Sequence, residues 1–180
     1  IGVVRRDPGN QPPQHPPLNN AVPRPLTGKG ISWGGSLIRP EATGYGAVYF
    51  AQNMLETRGA SFEGKKVVIS GAGNVAQYAA EKTIQLGAKV ITMSDSSGFV
   101  HDPEGIDEEK LTFIMQLKNV SRQRIDKYVA QYPKASFHKG KKPWVVPCDI
   151  AMPCATQNEL DAADAKTLIS NGCYCVSAGA

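Results

Sequence analysis

Gly71, Gly73 and Ala76 stand at the spacing Gly-x-Gly-x-x-Ala, directly after the β-branched run Val67, Val68, Ile69. A run of that kind ends a strand, and the glycines open a helix. Gly71 would permit the tight turn, Gly73 would let a diphosphate approach the backbone, and Ala76 would let the helix sit close on the strand. The free N–H groups and positive dipole end of that helix would then face the anion. A lone match of this length also fits an ordinary glycine turn. The second apolar strand, Lys89 to Ser94, ends at Asp95, about twenty residues beyond the glycines, where a dinucleotide fold places the residue that reads the adenosine ribose.

These groups need a sheet to hold them. Val48, Phe50, Ala51, Met54 and Leu55 recur at helical spacing before Gly59, and a helix from Asn74 to Leu86 is stopped by Gly87. After the second strand the pattern predicts a turn at Ser96, Ser97 and Gly98, then another at Asp102-Pro103-Glu104-Gly105. Leu111, Ile114, Met115 and Leu117 form a helical face, followed by a polar stretch through Tyr132. A third strand is expected between Trp144 and Met152, broken at Pro147, then a short helix from Asp161 to Ser170 and a last strand from Cys173 to Val176. Strands alternating with helices give an α/β fold: a Rossmann-type, doubly wound, mostly parallel sheet with helices on both faces.

The chain has 180 residues, a hydrophobic share of 41% and a net charge of +4, enough for one domain with a real core. Residues 1–25 carry seven prolines among Gln, Asn and Arg and read as a proline-rich, extended or disordered segment. Residues 26–180 read as the dinucleotide-binding domain. Apolar runs are far shorter than the span of about twenty residues that crosses a membrane, and no charged-then-apolar leader opens the chain. A cytoplasmic location is therefore expected by default. Lys139, Lys141 and Lys142 are the densest basic cluster, which without interleaved aromatics reads as a solvated loop and not a nucleic-acid surface. Cys148, Cys154, Cys173 and Cys175 match no Cys-x-x-Cys spacing, and no histidine follows His138. They read as buried cysteines in a reducing compartment, with no metal site.

Longer motifs accompany the glycines: LTGKGISWGGS at residues 26–36, IRPEATGYG at 38–46, SDSSG at 94–98, Pro143-Trp144, and PCDIAMPCATQNEL at 147–160. Together they resemble the NADP-dependent, hexameric-type glutamate dehydrogenases of the Glu/Leu/Phe/Val dehydrogenase family. The resemblance covers residues 26–179 and implies the cofactor domain of a two-domain oxidoreductase. That enzyme interconverts glutamate with 2-oxoglutarate and ammonia by hydride transfer and assembles as a homo-oligomer when full length.

By that resemblance Thr43 holds the nicotinamide amide, Asn74 lies beside the cofactor ribose and phosphates, and Gly71, Gly73 and Val75 form the pyrophosphate turn. Ala155, Thr156 and Asn158 lie near the nicotinamide ribose. Thr43 and Asn158 also suit helix caps, and Asn74 an ordinary first turn. The carboxylate of Asp95 would by itself favour the ribose diol of NAD and repel a 2′-phosphate. The resemblance instead implies NADP, with Asp95, Ser96 and Lys118 at the phosphate; Lys118 equally fits a plain surface lysine.

The family's catalytic lysine in Gly-Gly-x-Lys and aspartate in Pro-x-x-Asp-Val-Gly have no match, since Gly34-Gly35 is followed by Ser36 and Leu37. No catalytic residue is assigned. Val176 to Ala180 resembles a Val-x-Glu-Gly-Ala-Asn segment with Ala178 in place of the acid. The sequence is expected to be a fragment that binds NADP(H), meets glutamate or 2-oxoglutarate only within a longer enzyme, and is inactive alone. A non-catalytic nucleotide-binding or subunit-interaction module, or a related amino-acid dehydrogenase, are the alternatives.

Overall fold

In a computed structural model the structure describes residues 39–179. The proline-rich segment at 1–25 and the first globular residues after it lie outside the described residues. α1 (Arg39–Glu56) crosses the boundary between two units, Ile1–Ala42 and Thr43–Ala180. The sheet belongs wholly to the second.

Six strands form that sheet in the order β4-β3-β2-β1-β5-β6. β1 (Lys66–Ile69), β2 (Lys89–Asp95), β5 (Ile150–Met152) and β6 (Cys175–Val176) pair in parallel. β3 (Gly98–Ile106) and β4 (Ser136–Lys139) extend it antiparallel beyond β2. The parallel portion is the expected Rossmann-type half. The hairpin of β2 with β3, and the strand β4, are additions to the sequence reading, and they make the sheet mixed.

The turn expected at Asp102-Pro103-Glu104-Gly105 exists, but inside a strand. Thr92 pairs with His101 and Val90 with Ile106, so residues 102–105 loop out of the ladder as a wide bulge. Glu104 N donates to Asp102 Oδ1 at 3.0 Å, and Gly105 takes a φ of 91°. The expected third strand is likewise shorter: Pro143–Val145 is a 3₁₀ turn and only Ile150–Met152 joins the sheet.

Alternation along the strands builds two cores. Val67, Ile69, Val90, Ile150 and Met152 face α1, α2 (Asn74–Gln85) and α3 (Glu108–Met115) through Val48, Leu55, Ala76, Ala80, Leu111 and Ile114. Val68, Ile91 and Ala151 face Trp144, Val146 and the Leu168 side chain of α5 (Ala162–Ser170). Both faces are covered, as a parallel sheet requires. All four cysteines are buried and reduced.

The bulge is held by a buried carboxylate. Asp102, 1% exposed, accepts from Lys110 Nζ at 2.8 Å and Tyr128 Oη at 2.7 Å, which ties β3 to α3 and to α4 (Tyr128–Gln131). Burial pushes its pKa up, and the bonds from Lys110, Tyr128 and Glu104 N outweigh that and bring it below the ordinary value. Tyr128→Phe should cost about 1.5–3 kcal/mol, the range for a hydrogen bond to a charged group. Asp102→Ala should cost more, because it strands the largely buried Lys110. Urea unfolding checks both; a Tyr128→Phe protein as stable as the parent would mean that Asp102 does not depend on the phenol.

Candidate functional site

Three helix N-termini show how unusual one of them is. α3 is capped by Asp107, whose side chain accepts from Lys110 N, and α5 by Asp161 in a reciprocal capping box with Asp164. The N-cap of α2 is Gly73, which has no side chain to offer, and its first turn holds no acid. The positive end of α2 is therefore left without an acid in its own cap or first turn.

That end is set by close contacts. Gly71 has a φ of 86°, and a Cβ there would lie 3.0 Å from Cys154 O and 3.2 Å from the Ala76 side chain. Gly71 N donates to Ser94 Oγ at 2.8 Å, Ser94 N returns a bond to Gly71 O at 3.0 Å, and Cys154 N donates to Ser70 Oγ at 2.9 Å. The ends of β1, β2 and β5 are thus locked together by two serine hydroxyls. Around Gly73, in contrast, a Cβ would meet nothing within 4 Å. Gly71 is needed by the fold, whereas the space at Gly73 is open.

The open space is a cleft of about 680 Å³. Gly71, Gly73, Asn74, Val75, Asp95, Ser96, Lys118, Ala155, Thr156 and Asn158 all line it. Of the residues assigned to the coenzyme from the sequence, Thr43 alone does not line it: it is exposed on α1, next to Gly44. A Cβ at Gly44 would lie 2.7 Å from both Val75 O and Ala79 N, so α1 crosses α2 backbone to backbone there, which puts Thr43 beside the N-terminal half of α2. Asn158 adopts the left-handed conformation, φ 55°, at a corner of the far wall. Gly179 closes that side: its N–H donates to Pro153 O at 2.8 Å, and a Cβ would run against Val75 at 2.9 Å.

Asp95 does more than end β2. Its Oδ1 accepts from Ser97 N at 2.8 Å and Ser97 Oγ at 2.5 Å; its Oδ2 accepts from Ile125 N at 2.9 Å and Lys118 Nζ at 3.0 Å. Burial raises its pKa, but these donors prevail and hold it at about 2. Both oxygens are engaged within the protein. Lys118 reaches Asp95 from a π turn, Gln116–Val120, that continues α3, an irregularity common at functional sites. One residue escaped the sequence reading. Arg124 donates from Nη1 to Ser96 Oγ, which sets a guanidinium at the Ser96 end of the cleft. Its only sequence signal was a basic residue in a polar stretch. Among the described residues no three His, Cys, Asp or Glu side chains gather as a metal site, and no helix is long and apolar enough to cross a membrane.

Comparisons with known proteins bear on this site. The family model described as Glutamate/Leucine/Phenylalanine/Valine dehydrogenase matches residues 34–180. The NAD(P)-specific glutamate dehydrogenase of Xylanibacter ruminicola is 56% identical over 180 residues, and the NADP-specific glutamate dehydrogenase of Haemophilus influenzae 54%. Each alignment takes in 100% of this chain and 40% of the relative, so the chain spans about two fifths of the length of the curated relatives it matches. A crystal structure of Plasmodium falciparum glutamate dehydrogenase superposes with a TM-score of 0.81 at 46% identity, covering 86% of this chain and 33% of that one. With the family model matched over most of its length and such identities throughout, the chain belongs to the Glu/Leu/Phe/Val dehydrogenase family.

Proposed function

We propose that this chain is the coenzyme-binding part of an NADP-dependent glutamate dehydrogenase, an oxidoreductase of the cytoplasm that acts as a homo-oligomer when full length. The observation that carries the reading is the uncapped N-terminus of α2 opening, at Gly73, into the cleft, while the N-termini of α3 and α5 are filled by aspartates. An anion with several acceptor oxygens suits that end, and the diphosphate of a dinucleotide is such a group.

In this reading the backbone N–H groups of residues 73–75 hold the diphosphate, with Asn74 beside it. Ala155, Thr156 and Asn158 bound the nicotinamide ribose, and Thr43 the nicotinamide amide. Ser96, Lys118 and Arg124 take the 2′-phosphate of the adenosine. Asp95, whose oxygens are filled by Ser97, Ile125 N and Lys118, acts as the anchor that aims Lys118 and not as a reader of the ribose diol. A carboxylate filled in this way is compatible with a phosphate at the same site. The bound nicotinamide supplies hydride transfer to or from the carbon that bears the amino group. What these residues do is bind, orient and exclude water on one side of the ring. General acid-base groups for the amino-acid carbon are not among them, and the chain has no Gly-Gly-x-Lys motif to supply one. They come from the remainder of the longer enzyme, where glutamate and 2-oxoglutarate are met. This last point also favours the second reading, a nucleotide-binding module without catalysis of its own.

Two measurements follow from this assignment. In Gly73→Val the new Cβ meets no protein atom within 4 Å, so the melting temperature should stay near the parent's while NADPH binding, followed by nicotinamide fluorescence, falls at least about ten-fold. Equal titrations for the two proteins would remove the diphosphate from Gly73. Asp95→Asn should destabilise the fold by about 1–3 kcal/mol at neutral pH. Because the folded-state pKa of Asp95, about 2, lies under its ordinary 3.8, its contribution is full above pH 4 and is lost as pH falls toward 2. The stability gap between parent and variant should close over that window; a gap that persisted at pH 2 would deny the carboxylate its anchoring role.

A further inference from the structure

Three lysines line the cleft, and two of them are neutralised by the protein. Lys118 pairs with Asp95, and Lys142 lies 2.6 Å from Asp164 and 3.4 Å from Asp161. Lys141, exposed and also lining the cleft, is in no ion pair among the described residues.

Its position is fixed by close packing. Lys139 pairs with Gly98 in the ladder between β3 and β4, and Gly140 N donates to Ser97 O at 2.8 Å. A Cβ on Gly98 would run into His138 O and come within 2.9 Å of Lys139 Cα, so only glycine lets this turn press against the Asp95–Gly98 corner. On its other side Pro143 is buried at the start of a 3₁₀ turn. Lys141 is thus carried at the edge of the cleft next to the Asp95–Gly98 corner.

We propose that Lys141 contacts the 2′-phosphate of the adenosine from the β4 side and tips coenzyme choice toward the 2′-phosphorylated form. The proposal rests on the nucleotide reading above. A phosphate monoester carries a charge of about −1.5 to −2 at neutral pH. Asp95 offsets much of the charge of Lys118, so the pair together with Arg124 leaves part of the phosphate charge unmatched, and Lys141 supplies a further cation. An ammonium on a flexible stem acts as a point charge, so its contribution is screened by salt.

The test is calorimetric titration of the 180-residue chain with 2′,5′-ADP and with 5′-AMP, which differ only in the 2′-phosphate, at ~0.05 M and ~0.5 M salt. Lys141→Gln should weaken 2′,5′-ADP about five-fold at low salt, leave 5′-AMP nearly unchanged, and reduce the salt dependence of 2′,5′-ADP. Lys141→Arg should restore it, and because the side chain is exposed all three proteins should melt alike. Unchanged 2′,5′-ADP binding in Lys141→Gln, or equal losses for both ligands, would overturn the proposal. A parent that bound 5′-AMP as tightly as 2′,5′-ADP would overturn it while leaving the nucleotide reading intact. A parent that bound neither would end both.

Discussion

The close seating of α2 on the ends of β1, β2 and β5 is the constraint from which the rest follows. A side chain at Gly71 would press on Cys154 O and Ala76, and one at Gly44 would overlap the backbone of α2 at Val75 and Ala79. With backbone so near on two sides, the first turn of α2 has room for its dipole to act only on the third side, at Gly73. Ser70 and Ser94 hold the three strand ends in register from within. The cleft is therefore a product of packing, and the loop at 154–159 is hung across from it by Ser70 and by Gly179.

A second hub is Asp95. One carboxylate collects two donors from the turn that follows β2 and two from the π turn and the residues after it. Removing it from water costs energy, and four hydrogen bonds with a cation offset the cost. In the proposed NADP reading, the same residue type that would discriminate against a 2′-phosphate if free serves, once filled, to hold a lysine toward it. Charge at this end of the cleft is set by what remains unpaired, which is why Arg124 and Lys141 matter more to the local field than their places on the exposed surface suggest.

Much of this was legible because it rests on local chemistry. The run Val67 to Ile69 followed by Gly71 and Gly73, and the run Lys89 to Asp95, carry strand and turn signals that tertiary packing does not contradict. β3 was hidden by Asp102 to Gly105, a true turn signal that the sheet absorbs as a bulge, leaving His101 and Ile106 on one strand. β4 is polar because it is a sheet edge, and an edge strand needs no apolar alternation. Arg124 could not be found from sequence, since its relation to Ser96 depends on the π turn and the short 3₁₀ turn Ile125–Lys127. Asp95 lines the cleft, but the filling of its Oδ2 depends on folded neighbours, Lys118 and Ile125, twenty-three and thirty residues away in sequence.

Backbone hydrogen exchange of the chain with and without NADP(H) tests the central claim directly, because it reports where the ligand sits without altering any residue. Binding at the uncapped end of α2 should slow exchange at residues 73–76, in the Asp95 to Gly98 corner, around Lys118 and Arg124, and at 154–158. The α5 helix on the opposite face, with its N-terminus already capped by Asp161, should exchange as before. Protection confined to other segments, or none at concentrations that saturate binding, would contradict the account.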